Sequence, residues 1–240
     1  MPIALLTDFG TRDPYVAAMK GVLASRTSAP IFDLTHEIAA FDVLGAAWFL
    51  NTVAAYWPVG TIFVCVVDPG VGSARRIVAM EREGRVFLAP DNGLLTFVVP
   101  LSKLYSVENA ALFLPNGSNT FHGRDRFAPV AAALANGLKI EELGPRIDDI
   151  VLLEYEAPLY SEELVRGTVV AIDRFGNAIT DIEAARVPFA LRLEQNYADA
   201  APGAFLIVGS TGHIEISIAN GNAAEELHMK RLQRVELTPL

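Results

Sequence analysis

The segment Thr61-Ile62-Phe63-Val64-Cys65-Val66-Val67-Asp68-Pro69-Gly70 decides the fold. Its β-branched and apolar residues run on without polar alternation, which is how a strand covered on both faces reads. The run stops at an aspartate followed by Pro-Gly, a turn signal. Ile3–Thr7 and Ile31–Leu34 are shorter runs of the same kind. Helical patterns separate them. Asp13-Pro14 reads as an N-cap followed by proline at the first helical position, with Val16, Met19 and Leu23 on one face behind it. Asp42–Tyr56 carries Leu44, Ala47, Trp48 and Ala55 at helical spacing. Ile77–Met80 and Val86–Ala89 read as a pair of strands. Phe127, Val130, Ala131 and Leu134 mark a helix beginning near Arg126. The expectation is an α/β domain with a largely parallel sheet.

The texture changes near Gly144-Pro145. From Val165 on, helical periods nearly vanish and short runs replace them: Gly167–Ile172, Ala178–Ile182, Ala190–Leu193, Phe205–Val208, Ile214–Ala219 and Val235–Leu237. Turn residues between them suit a small antiparallel barrel or sandwich. A boundary is expected between about Pro145 and Glu163, giving an N-terminal α/β domain over residues 1–155 and a smaller C-terminal domain over 160–240.

Composition narrows the function. Of 240 residues 52% are hydrophobic, enough for a packed core, and the net charge is −9. That balance excludes a nucleic-acid partner, which needs a basic surface, and disfavours an anionic membrane. It suits a cationic small molecule. Cys65 is the single cysteine and sits inside the central apolar run, so it reads as an inert buried thiol. The N-terminus has no basic stretch of the kind that opens a signal peptide. The longest apolar helix candidate, Leu44–Trp57, falls short of the ~20 residues a membrane span requires. A cytoplasmic protein is expected.

In open α/β sheets ligands bind beyond the carboxyl ends of the strands. Five polar clusters fall at predicted strand or helix ends: Asp8 in Thr7-Asp8-Phe9-Gly10, His36 after Asp33-Leu34-Thr35, Asp68 before Pro69-Gly70-Val71-Gly72, Asp91-Asn92-Gly93, and His122-Gly123-Arg124-Asp125. A functional cleft accounts for five together better than capping does. Asp8-Phe9-Gly10 spells a kinase magnesium motif but has no glycine loop or catalytic loop before it. Gly70-Val71-Gly72 is half a dinucleotide fingerprint, and Ser73 and Ser210 lack an elbow context. His36 reads as structural, bonding its own loop.

Taken in order, these motifs resemble the S-adenosyl-L-methionine hydroxide adenosyltransferase family, relatives of the adenosyl-fluoride and adenosyl-chloride synthases. Arg75 and Pro90-Asp91-Asn92-Gly93-Leu94-Leu95 extend the match. So do Ile172-Asp173-Arg174-Phe175-Gly176-Asn177, Gly209-Ser210-Thr211-Gly212 and Gly221-Asn222-Ala223-Ala224, so that it runs nearly end to end. The resemblance implies an α/β domain and a β-barrel domain in a homotrimer. It places S-adenosylmethionine between the N-domain of one subunit and the C-domain of its neighbour. It assigns Asp8 to the ribose hydroxyls and Phe41 to the place of a ligand-facing tryptophan in the halogenases. Asp173 goes to the methionine amino group and Ser210 to its carboxylate. Phe175, Asn177 and the Ala223 backbone go to adenine. Asp68, Arg75 and His122 match the triad of the water-using branch. Arg76 leaves the register of the arginine open by one position. Thr211 stands where halogenases hold the carboxylate with an arginine, so that grip is open too.

The chemistry agrees. A sulfonium is already a good leaving group, so the enzyme needs to place one water in line with C5′ and take its proton. His122 and Asp68 are suited to accept or relay that proton, and Arg75 to hold developing negative charge. No metal or cofactor is required. Three rivals stand beside this reading. A halogenase would lack the Asp and His of the triad. A metallohydrolase would gather Asp8, Asp68, Asp91, His122 and Asp125 around two ions. A non-catalytic S-adenosylmethionine-binding protein would keep Asp8, Asp173 and Ser210 with no need of the triad.

Overall fold

An apolar run without alternation has to be covered on both sides, and the first unit does this with three helices. The computed structural model describes residues 1–99 and 102–239. The chain separates into two units, Met1–Leu153 and Glu154–Leu240. In chain order the first contains β1 (Ile3–Thr7), α1 (Tyr15–Arg26), β2 (Ile31–Thr35), α2 (Val43–Ala54), β3 (Ile62–Val66), β4 (Ile77–Arg82), β5 (Arg85–Pro90), β6 (Lys103–Ser106), α3 (Ala128–Ala135) and β7 (Arg146–Ile147). Every residue of β1 and β3 is buried. Alternate side chains go to opposite faces. Ile3, Leu5, Ile62 and Val64 pack with Met19 and Leu23 of α1 and Val130 and Leu134 of α3. Ala4, Leu6, Phe63 and Cys65 pack with Ala46 and Leu50 of α2. Cys65 is buried, and burial raises its thiol pKa far above the ordinary range, so it stays an inert packing group.

The sheet has seven strands in the order β2-β1-β3-β5-β4-β6-β7. β2, β1, β3 and β5 run parallel to one another. β4, β6 and β7 add antiparallel pairings. The sheet is therefore mixed rather than largely parallel. The cause is local: Glu83 and Gly84 have φ of 50° and 70° and join β4 to β5 in a two-residue hairpin. No crossover helix intervenes, so β4 returns antiparallel. Because β1 lies between β2 and β3, with α1 and α2 on opposite faces, the strand order reverses at β1. A crevice is forced open past the carboxyl ends of β1 and β3. Asp8 and Asp68 stand on its two sides.

Two helix starts differ from the sequence reading. Asp13 does not cap α1: Pro14 occupies the cap position, its carbonyl accepting from Ala18, because the residues before it are already turned rather than extended. The helix expected near Arg126 begins earlier, as a π-helical turn over Gly123–Phe127 that runs on into α3.

The second unit contains β8 (Leu159–Tyr160), β9 (Val165–Ile172), β10 (Ala178–Glu183), β11 (Leu193–Glu194), β12 (Ala204–Val208), β13 (His213–Ile218), α4 (Ala223–Glu226) and β14 (Arg234–Leu237). Its strands follow the order β11-β12-β13-β10-β9-β14, with β8 on β9. All pairings are antiparallel except β11 with β12. The pairings described form an open path rather than a closed ring. Val165, Val169, Ala178, Ile182 and Ile214 fill its core. Among the described residues no helix is long and apolar enough to cross a membrane.

The two-sided cover of β1 gives a direct test. Leu5 is fully buried, so Leu5→Ala should lower the unfolding free energy by about 2–5 kcal/mol in denaturant melts. A loss below about 0.5 kcal/mol, typical of surface positions, would show that this strand is not core.

Candidate active site

The crevice of the first unit is a concavity of about 470 Å³ lined by Asp8, Phe41, Asp68, Phe121 and His122, among others. Each arrives there by the end of a structural element. Asp8 follows β1, and its Oδ2 accepts the backbone N–H of Phe41 at 2.9 Å. Phe41 itself has φ of 67°, a left-handed conformation unusual for a bulky residue, and is 69% exposed. Strain of this kind persists only where the surroundings hold it. Here the Asp8 bond on one side and the Asp42 side chain capping Gly45 N–H on the other do so. The aromatic ring is thereby presented at the rim.

Asp68, Arg75 and His122 meet. Arg75 Nε donates to Asp68 Oδ1 at 2.8 Å, Nη2 donates to Asp68 Oδ2, and Nη2 also donates to His122 Nδ1 at 2.9 Å. The Arg75 and Asp68 side chains are 9% and 4% exposed, so this is a desolvated bidentate pair. Phe127 lies 6.0 Å beneath the guanidinium. Of the two adjacent arginines it is Arg75 that bonds Asp68 and His122, while Arg76 turns the other way, to Asp91 and Asp149.

The Arg75 contact fixes the state of His122. A guanidinium can only donate, so Nδ1 is the acceptor and carries no proton. The neutral ring then holds its proton on Nε2. Burial, and after it the charges of Arg126 and Arg75, hold the His122 pKa below the ordinary imidazole value. His122 Nε2 is buried and finds no partner among the described residues. A buried donor costs about 1–3 kcal/mol when no protein, water or ligand atom accepts from it, so this N–H calls for an acceptor from outside the described residues. His122 sits just ahead of the π-helical turn, a distortion frequent at functional sites. Asp125 braces that turn by accepting Ser118 N–H at 2.6 Å and an Arg124 bond.

His36 is a brace, as its residues suggest: Nδ1 pairs with Thr7 Oγ1 at 2.8 Å and Nε2 with Asp33 Oδ1 at 2.9 Å, tying the ends of β1 and β2 together. Asp91 and Asn92 are gathered behind the loop that follows β3 and are not on the concavity. Among the described residues no group of three or more His, Cys, Asp or Glu is arranged to hold a metal ion.

The second unit has its own concavity, of about 670 Å³, and Asp173, Phe175, Asn177 and Ser210 all line it. Asp173 also organises its own loop. Oδ1 accepts the N–H groups of Phe175 and Asn177, both at 2.9 Å, and Oδ2 accepts Asn177 Nδ2 at 2.8 Å. This leaves Phe175 extended into solvent, 71% exposed. Gly176, with φ of 86°, lies so close to Asn222 that a Cβ would collide with it. That close approach lets Ala224 N–H donate to the Gly176 carbonyl. Ala223 is buried at the start of α4 and does not line the concavity, whereas Asn220 and Gly221 do. Thr211 Oγ1 is bonded to His213 Nδ1 at 3.1 Å.

Tyr197 and Glu215 also line this concavity, and sequence reasoning passed over both. Tyr197 Oη donates to Glu215 Oε2 at 3.2 Å. Burial, with the Asp173 charge as a lesser cause, pushes the Glu215 carboxyl up from its usual range. For Glu215 the available signal was the strict alternation of His213, Glu215 and Ser217 with three isoleucines along β13; Tyr197, between β11 and β12, had none.

A two-sheet α/β chain with a buried carboxylate–arginine–histidine cluster at a strand switch point defines a class of small-molecule enzyme. Two family models give the particular group: the SAM hydroxide adenosyltransferase N-terminal domain matches residues 3–144 and the C-terminal domain residues 167–236. The chain belongs to this family. A (R)-S-adenosyl-L-methionine hydrolase of Thermus thermophilus is 40% identical, over 98% of this chain and 99% of its own length. A fluorinase of an Actinoplanes species is 30% identical, over 75% of this chain and 71% of its own. Among solved structures, an uncharacterized conserved protein from Thermotoga maritima superposes with a TM-score of 0.91 at 35% identity, covering 98% of both chains.

The Arg75 contact predicts the titration of His122. Nitrogen-15 NMR should find it as the Nε2–H tautomer, with a midpoint below the ordinary value of 6.5. Arg75→Ala removes a positive neighbour and should move that midpoint upward. A midpoint above 6.5, or an Nδ1–H tautomer, would contradict the geometry.

Proposed function

We propose that the protein hydrolyses S-adenosyl-L-methionine to adenosine and L-methionine. One observation carries the reading: in a chain of this family, Arg75 joins Asp68 and His122 into one buried cluster beside Asp8. Asp8 is suited to the ribose hydroxyls and Phe41 to an apolar wall. On the second unit Asp173 and Ser210 are assigned to the methionine end, and Phe175, Asn177 and the Ala223 backbone to adenine. The buried position of Ala223 leaves only its main chain for that contact.

The residues divide the water chemistry between them. Arg75 has its Nε and Nη2 donors committed to Asp68 and His122, so it acts as a brace rather than a free anion holder. His122, with Nδ1 occupied, is a donor through Nε2–H and orients the water oxygen. Asp68 then accepts the proton as the O–C5′ bond forms and the C5′–S bond breaks, its electron pair staying on sulfur. The proton passes to solvent afterwards. A water set in line with C5′ gains mainly from positioning, a contribution of up to roughly 7–11 kcal/mol in well-oriented systems. No metal enters any step.

Asp68 and His122 favour water over halide as the nucleophile. The family resemblance also implies a closed barrel in the second unit and a homotrimer, with the first unit of one copy and the second unit of its neighbour sharing each substrate. Both belong to this proposal. So does a cytoplasmic setting.

Purified protein given S-adenosylmethionine, as separate sulfonium epimers because the Thermus relative's name specifies (R), should yield adenosine and methionine on chromatography. Product should form equally with a chelator present. Unchanged substrate, a halogenated nucleoside in the presence of chloride or fluoride, or activity that metal restores would each sink the proposal. Light scattering should give a trimer; a fully active monomer would contradict the shared site.

A further inference from the structure

Asp68 and Arg75 lie on one loop, residues 68–76, between β3 and β4. It contains Pro69, Gly70 and Gly72, the last with φ of 82°. Apart from the Asp68–Arg75 pair itself, its internal bonds include Val71 N–H to the Asp68 carbonyl at 3.2 Å, Ser73 N–H to the Gly70 carbonyl at 3.1 Å, Ser73 Oγ to the same carbonyl at 2.7 Å, and Arg75 N–H to Ser73 Oγ at 3.3 Å. These bonds hold the pair to itself, but a Gly- and Pro-containing loop does not by itself place that pair against His122.

The loop is held from outside, at both ends, by two adjacent residues. At its start, Asn92 Nδ2 donates to the Val67 carbonyl at 2.9 Å, and Val67 is the residue before Asp68. At its end, Asp91 N–H donates to the Arg76 carbonyl at 3.0 Å, and Arg76 Nε returns a bond to Asp91 Oδ2 at 2.8 Å. Arg76 is the residue after Arg75. The sheet explains why one dipeptide reaches both places. β5 lies between β3 and β4, so the residues just past its end are flanked by the exit of one and the entry of the other. The Asp91 side chain is 3% exposed, and its second oxygen accepts Val151 N–H at 2.7 Å. Asn92 is fixed in turn, Oδ1 accepting Leu94 N–H at 3.3 Å. Neither residue lines the concavity.

We propose that Asp91 and Asn92 are positioning residues of the reaction, clamping the two ends of the 68–76 loop so that Asp68 and Arg75 meet His122. The proposal rests on the hydrolase reading above, and it gives the Pro90-Asp91-Asn92-Gly93 motif a function without contact to substrate. Releasing Val67 or Arg76 lets the loop drift. Drift separates Arg75 Nη2 from His122 Nδ1, and it moves Asp68 from the path of the water.

Asn92→Ala is the first test, with Asp91→Asn beside it, since the latter keeps an acceptor for Val151 N–H while removing the charge that holds Arg76. Each should lower kcat for S-adenosylmethionine roughly tenfold to a hundredfold, the scale of a misplacement of about 1 Å. KM should change little, because the ligand-holding residues are untouched. The His122 titration should move upward as Arg75 is released, a readout that a merely structural role would leave alone. Wild-type kcat in both variants, or a lowered kcat with the His122 titration unmoved, overturns the proposal. A wild-type protein that leaves S-adenosylmethionine intact sinks the hydrolase reading and the proposal with it. An active wild type with unaffected variants sinks the clamp alone.

Discussion

The site depends on one contact, the bidentate bond between the Arg75 guanidinium and the Asp68 carboxylate. Both side chains are nearly out of water. A buried ion pair is weak grounds for stability, because desolvation consumes much of the Coulomb gain. Its value here lies in geometry. The planar fork fixes the carboxylate in two places and still has a donor for His122 Nδ1. That single donor determines which ring nitrogen of His122 carries the proton. Lysine at this position, a point charge on a flexible stem, would leave both carboxylate and imidazole free to turn.

The sheet makes the contact possible. The strand order reverses at β1, so the turns after β1 and β3 part and a crevice opens between them. β5 inserts between β3 and β4, and its trailing residues brace the loop that carries Asp68 and Arg75. α3 and the π-helical turn ahead of it bring His122 to the same point across the helical layer. The stable core and the Asp68–Arg75–His122 cluster thus share elements. The hairpin that makes the sheet mixed is also what sets β4 beside β5 and so places Arg75 and Arg76 against Asp91.

Much of this was legible in the sequence. Unbroken apolar runs at Ile3–Thr7 and Thr61–Val67 announce strands covered on both faces, and the polar residues closing each run announce the crevice. Burial periodicity has no term for handedness of pairing, which is why the antiparallel half of the sheet and the parallel β11–β12 pair were missed. The choice between Arg75 and Arg76 was likewise beyond reach, because adjacent residues on an extended segment face opposite ways and only tertiary partners decide between them. Glu215 went unnoticed because a polar stripe on a strand ordinarily means a solvated face, and Tyr197 because it lies in an irregular segment between β11 and β12 with no periodicity to mark it. Asp13 misled for a different reason: Asp-Pro has the composition of a cap, but the chain enters α1 already turned.

The measurement that bears most directly on the Asp68–Arg75–His122 cluster compares binding with chemistry in His122→Ala. Calorimetric affinity for S-adenosylmethionine is set beside the single-turnover rate of adenosine release. Affinity near that of the wild type, with the rate lowered by roughly 10²- to 10⁴-fold, is the expected result for a group that handles the attacking water. A near-normal rate, or equal losses in affinity and rate, would contradict the role of His122 and of the contact that holds it.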